Sequence, residues 1–324
     1  MTKRTGRDGL MLIRLNKGWV AAGLIFMIAS LAGGCGQDGQ SGVWEPEEDW
    51  EEGRGDLPDS VGNPQSVDLS PEEKAFLNTY LYFDHGEELW KETDYAAPTG
   101  TWFFKDGEGS LGYGMPAGTM KAGEIFSVEL IAHEEDGVTM EREIRVRLTE
   151  MEKIEEQEKI VDETVYVESA GSSEIVYSGN LPDNENAGYL LSVEVINDEG
   201  EVEDTRLSFM YVPVPEMNAS LSTDQETYTE TDEEVKLILE NAGPTYLFIG
   251  EYYSVEKKVG DTWRKVPLEL AFNDIGLYVG IGEEHMDTVD MTELDSGTYR
   301  LIKDMYADGI DISAELAAEF TIQE

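Results

Sequence analysis

The sequence predicts a mainly β protein, with two antiparallel β-sandwich domains at residues 94–212 and 220–324 preceded by a short helix, an acidic tether and an N-terminal targeting segment. Three observations predict it. Beyond Pro98 the apolar residues recur with a period of two: Phe126, Val128 and Leu130 alternate with Ser127 and Glu129, and Ile144, Val146 and Leu148 alternate with Arg145 and Arg147. Such alternation puts one face of each strand in a core and the other in water. Turn-forming runs, Glu135-Asp136-Gly137 and Asn197-Asp198-Glu199-Gly200, fall between the segments where hairpins need them. Finally, 324 residues that are 40% hydrophobic and carry 15 Tyr, 10 Phe and 6 Trp suffice for two cores of ordinary size.

The N-terminal 34 residues read as a targeting segment. Lys3, Arg4, Arg7, Arg14 and Lys17 are basic, residues 19–31 are uncharged, and Leu31-Ala32-Gly33-Gly34 leads into Cys35, the only cysteine of the chain. The apolar run is shorter than the ~20 residues a spanning helix needs. These residues resemble a bacterial lipoprotein signal ending in a lipobox. The resemblance implies cleavage between Gly34 and Cys35, diacylation of the Cys35 thiol, and a mature chain held by lipid on the extracytoplasmic face of the cell membrane. One departure is that Ala32 stands where the motif places Leu, with Leu31 one residue earlier. Ordinary secretory cleavage nearby, or retention of residues 19–31 as an anchor, are the alternatives. A buried core role for Cys35 fits poorly with its glycine flanks. One cysteine excludes an internal disulfide, a cysteine-based metal site and, once lipidated, a thiol nucleophile.

Charge narrows the partners. The chain carries 23 basic and 69 acidic residues. Removing residues 1–34 takes away five of the first and one of the second, Asp8, leaving 18 − 68 = −50. A polyanion of this size repels nucleic acid and anionic lipid alike, so no nucleic-acid partner is expected and the membrane link falls to the lipid at Cys35. The acidic residues read as solubilising surface, with cation binding in a cell wall as the sharper alternative.

The elements follow in order. Residues 35–68 are rich in Gly, Pro, Asp and Glu and are expected to form a disordered, extended tether. Within it Trp44 and Trp50 are either loosely packed aromatics or a short partner motif. Ser70-Pro71-Glu72-Glu73 combines an N-cap, a first-turn proline and a capping box, and predicts a helix from 71 to about 83 inside residues 69–93, with a further turn near 87–92. Its face of Phe76, Leu77, Tyr80 and Leu81 is expected to dock on the domain that follows. In residues 94–212, Val165 and Val167, then Leu191, Val193 and Val195, then Leu207, Phe209 and Tyr211 continue the alternation. The glutamate-rich stretch 150–160 must be an edge strand or a loop. Pro213 and Pro215 make residues 213–219 a stiff linker.

The last third carries recognisable motifs. Gly250-Glu251-Tyr252-Tyr253-Ser254-Val255-Glu256-Lys257-Lys258, a Gly260-Asp261 turn, Trp263-Arg264-Lys265-Val266-Pro267, Gly297-Thr298-Tyr299-Arg300-Leu301 and the closing Ala318-Glu319-Phe320-Thr321-Ile322 resemble a bacterial immunoglobulin-like domain of the Gram-positive envelope type. The resemblance implies an Ig-like sandwich over 220–324 and no catalytic residues. Residues 94–212 share the strand rhythm without the motifs and are Ig-like on pattern alone. The hairpin is expected to place Tyr253 and Val255 on one face and Tyr252, Ser254 and Glu256 on the other, and residues 304–309 are expected to form a loop.

Motifs for chemistry are sparse. His85, His133 and His285 lie in no metal-ligand spacing, and the chain has no nucleophile elbow, P-loop or dinucleotide glycine pattern. Two stretches, Asp183, Glu185, Gly188 and Glu194, and Asp304, Asp308, Gly309 and Glu315, match a calcium loop in part. Their flanks read as strands, so acidic turns are expected instead. No catalytic residue, metal or cofactor is assigned. The expected function is a non-enzymatic spacer and recognition module with a cell-wall or envelope partner. The alternatives are a proteinase inhibitor acting through residues 304–311 and an enzyme acting on a glycan or the cell wall.

Overall fold

The computed structural model describes residues 47–65, 69–81, 84–133, 137–152 and 155–324. The expectations for the signal, Cys35 and Trp44 lie outside the described residues. The described chain is mainly β, as the alternation predicts, and builds two sandwiches.

In the first sandwich, a three-stranded sheet of Leu111–Gly114, Ile125–Ala132 and Glu174–Asn180 faces a five-stranded sheet ordered Gly118–Thr119, Val202–Val212, Ala187–Ile196, Val138–Glu152, Glu155–Ala170. Between them lie Phe126, Val128, Leu130, Ile144, Val146, Leu148, Tyr189, Leu191, Val193 and Met210, all nearly inaccessible to water. Asn197 makes the predicted hairpin: its Oδ1 accepts from the amides of Glu199 and Glu201. The glutamate-rich strand Glu155–Ala170 sits at the sheet edge, where Glu158, Asp162, Glu163 and Glu168 meet water.

Two expectations fail here. The strands on either side of Gly137 pair in different sheets, so that turn crosses the sandwich and closes no hairpin; Glu135 and Asp136 themselves lie outside the described residues. Leu207, Phe209 and Tyr211 face outward, while Met210 and Val212 fill the core. A strand that is apolar on both faces shows its period but not which face looks inward.

In the second sandwich, Asn218–Thr223, Glu234–Gly243 and Glu284–Asp290 form one antiparallel sheet. The other runs Thr227–Thr229, Ile312–Gln323, Gly297–Ala307, Leu247–Gly250, Gly276–Val279. The hairpin of Ser254–Val259 and Thr262–Lys265 joins it along Gly297–Ala307. Residues 304–307, expected as a loop, continue this strand because Met305 and Ala307 are core residues; only a turn at 308–311 remains. The expected linker is shorter too, since Met217 and Ala219 are buried in the second core and the strand begins at Asn218.

The helix Pro71–Tyr80 has the predicted capping box: Ser70 Oγ accepts from the Glu73 amide at 3.2 Å and Glu73 Oε2 from the Ser70 amide at 2.8 Å. It stops at Tyr80 and is followed by the 3-10 segment Asp84–Glu92. Its apolar face docks on both sandwiches. Phe76, Leu77, Leu81 and Leu89 pack against Leu190, Leu207, Phe209 and Tyr211 of the first and Tyr246 and Ile281 of the second. The Asn78 amide brackets Ile281, donating to its carbonyl at 3.1 Å and accepting from its amide at 2.9 Å.

Candidate functional site

The expected tether is where the structure departs furthest from the sequence reading. Residues 47–65 form an ordered strap along the second sandwich. A 3-10 turn, Glu47–Asp49, delivers Trp50, which is only 8% exposed, into the second core. Residues 51–53 then extend the central hairpin, with the Gly53 amide donating to the Trp263 carbonyl and the Lys265 amide to the Glu51 carbonyl, both at 2.9 Å. Further on, Pro58 O accepts from the Ala317 amide, and Ser60–Val61 pairs with Ser220 and Ala219 as an added strand. Like-charge repulsion predicts disorder for this composition. A buried indole, a strand's worth of backbone hydrogen bonds and a set of ion pairs oppose it.

Those ion pairs occupy the hairpin face that carries Glu256. Glu256, 3% exposed, accepts from Arg300 Nη2 at 2.6 Å and Nε at 2.8 Å, and its other oxygen accepts from the Arg54 amide at 2.8 Å. The Arg300 guanidinium lies 4.4 Å from the centre of the Trp263 ring, beyond which it donates to the Arg54 carbonyl. The Arg54 side chain reaches Asp304 at 2.7 Å and Glu315 at 3.2 Å. Near the start of the strap Lys257 Nζ binds Glu47 at 2.6 Å and also Asp295. Val255 and Tyr253 share one face, as expected, and it is the core face; on the other, Glu256 is buried beneath the strap, Ser254 is buried and Tyr252 is exposed.

The strap gives a defined pH response. Burial pushes the Asp295 carboxyl up, but its hydrogen bonds from Lys257 and Tyr299 outweigh this and hold it below the usual range. Burial by itself would lower the Lys257 ammonium; the hydrogen bonds to Asp295 and Glu47 reverse the sign and hold it above its ordinary value. The stabilisation from Asp295 is therefore present above the unfolded carboxylate pKa of about 3.9 and is lost as pH falls through the folded value. That from Lys257 is complete below about 10.4 and is lost only as pH rises through its raised folded value. Exchange protection of the Gly53 and Lys265 amides, corrected for intrinsic rates, is expected to hold from pH 5 to 9 and to weaken below about pH 4.

Neither partial calcium match gathers into a site. Asp304 and Glu315 are cross-strand neighbours held by Arg54, while Asp308 lies in the turn beyond, its carboxyl pushed up by burial. Glu194 is buried in a strand, held by Arg145 at 2.8 Å and Arg147 at 3.3 Å. Among the described residues no group of three or more His, Cys, Asp or Glu could hold a metal ion. His133 packs edge-on to Phe104. His285 donates from Nε2 to Asp287 at 3.0 Å, and Asp287 also accepts from the fully buried Lys303 at 2.6 Å. Burial raises the Asp287 carboxyl, and the bonds from His285 and Lys303 more than reverse it. This trio is a satisfied ion pair between the sheets.

Along the strand Gly297–Ala307 the start of the strap and the first sandwich sit at opposite ends. Glu47 docks beside Asp295 and Tyr299, whereas Lys121 of the first sandwich pairs with Asp311 at 2.6 Å and Thr119 packs on Gly309. Ten residues of strand separate the ends by about 30 Å. No helix among the described residues is long and apolar enough to cross a membrane.

Residues 215–321 match the family model of a bacterial Ig-like domain, so the second sandwich carries that domain. None of the curated proteins matches the chain in sequence. Among solved structures, a transglutaminase from red sea bream is similar at a TM-score of 0.28 and 10% identity, over 66% of this chain and 31% of that one. The chain thus spans about a third of the length of that structure, and a likeness so distant bears on neither fold nor function.

Proposed function

We propose that this is a non-enzymatic lipoprotein of the extracytoplasmic face, fixed to the cell membrane through Cys35, in which the sandwiches act as spacer and recognition module. The observation that carries the reading is the strap. A chain pulled from its N-terminus must transmit load into a folded domain, and here the load enters at Trp50 and the ion pairs of Glu47 and Arg54, on the second sandwich. Because the described chain enters the fold at Glu47 on the bacterial Ig-like domain, of Gram-positive envelope type, that domain would take the load from the lipid first. The −50 charge of the mature chain keeps both sandwiches off an anionic bilayer. The proteinase-inhibitor reading keeps only the turn at 308–311 of its segment, because residues 304–307 are strand with Met305 in the core.

Growth with radioactive palmitate is expected to label the chain, and Cys35→Ala to abolish the label and release the protein from the membrane fraction. Undiminished labelling of that variant overturns the anchor.

A further inference from the structure

The outer face of the second sandwich carries a row of exposed rings that the core does not use. Tyr278, Phe248 and Tyr306 occupy one register line across three adjacent strands, since Phe248 pairs with Tyr278 on one side and with Tyr306 on the other. Cross-strand partners point to the same face. They are 48%, 37% and 56% exposed, on strands whose alternate residues Leu247, Ile249, Met305 and Val279 are buried. The Phe248 and Tyr278 ring centres are 5.2 Å apart. Gly276 and Gly250 form a bare row beside them, and a Cβ at Gly276 would lie 2.3 Å from Phe248 Cζ, so the ring leans over the glycine. In line with the glycines stand Asp304 and Glu315, bridged by Arg54.

We infer that this face binds an uncharged polysaccharide chain, its sugar rings stacking on Tyr278, Phe248 and Tyr306 and its hydroxyls bonding to the Asp304, Glu315 and Arg54 cluster. Three neighbouring strands at ~4.8 Å spacing make a platform about 10 Å long, the scale of two sugar rings. The rings stand along one line of the sheet surface, with Phe248 and Tyr278 inclined at 57° to each other, so each can offer a face to a different ring of a chain laid across the strands. Charge selects among the rest. A chain at −46 repels anionic polymers and a second copy of itself, and Arg54 already holds both carboxylates that a cationic partner would seek. Sugars present apolar C–H faces to rings and polar edges to carboxylates and guanidinium, which is what this surface offers. The inference names the partner class for the recognition half of the proposed function and rests on that reading only there. Membrane fractionation tests the anchor and glycan retention tests the platform, so each can fail alone.

The test uses the full chain, purified in a polyoxyethylene detergent that contains no sugar. It is passed over particulate chitin and insoluble xylan, with polygalacturonate and oligolysine resins as charged counter-probes. Retention on at least one neutral glycan is expected, with affinity falling at least about tenfold in the Phe248→Ala/Tyr278→Ala/Tyr306→Ala variant. Gly276→Ala, which displaces the Phe248 ring without touching the core, is expected to weaken retention while leaving the melting temperature unchanged. Retention on neither glycan, retention that the variants do not alter, or retention on a charged resin alone overturns the inference.

Discussion

Glu256→Ala is expected to destabilise the second sandwich by about 3–5 kcal/mol and to lower its melting temperature by roughly 10 °C. The cost comes from what is left behind. Arg300 is 1% exposed, and without Glu256 its guanidinium retains only Trp263 and the Arg54 carbonyl as partners. The Arg54 amide loses its acceptor as well, so the strap loosens with the core. Removing both charges together is a different experiment. Glu256→Met/Arg300→Met leaves no unpaired buried ion, and it is expected to recover most of the loss, because a buried pair contributes far less net stability than its disruption removes. Denaturant melts of the three proteins, followed through tryptophan fluorescence, check the order. A single variant as stable as the parent would show that water reaches Arg300 and that the strap is not a cover.

Phe76→Ala is expected to split thermal unfolding into two transitions. Phe76 meets Phe209 of the first sandwich edge-on at 5.0 Å and Tyr80 at 4.8 Å, in a cluster that also holds Tyr246 and Ile281 of the second. Truncating a buried Phe costs about 3–5 kcal/mol, and here the cavity opens in the layer that joins the domains. Outside that layer the sandwiches meet where Thr119 packs on Gly309 and where Lys121 pairs with Asp311, the latter an exposed pair worth little. Calorimetry of the parent should show one cooperative transition and that of the variant two. One undivided transition at the parent temperature would mean that the seam does not couple the sandwiches.

Local rules in the sequence were enough for much of the fold. The capping box at Ser70 and Glu73 is a contact within one turn, and the Asn197 hairpin closes over five residues, so both were readable from neighbours alone. The motifs around Trp263 and Tyr299 marked the bacterial Ig-like domain. The readings that failed depended on residues far apart in the chain. Which face of Val202–Val212 looks inward depends on a helix that precedes it by more than a hundred positions. The strap is not legible in the local sequence, because its composition argues for disorder. The one local signal was a lone Arg54 and Trp50 among acids, an apolar ring and a cation placed where only carboxylates repel.

By itself, then, the sequence determined the strand period, the helix start, the second domain and the expectation of an anchor at Cys35, because each rests on residues adjacent in the chain or on total charge. Only the tertiary structure decided that the acidic segment is a strap, that Glu256 and Arg300 are buried, that the helix seals a seam between two sandwiches, and that three rings line up on an outer face. Each of these depends on what covers what. A residue's exposure is set by partners as far off as Arg54 is from Arg300, 246 positions away, and no local pattern encodes them.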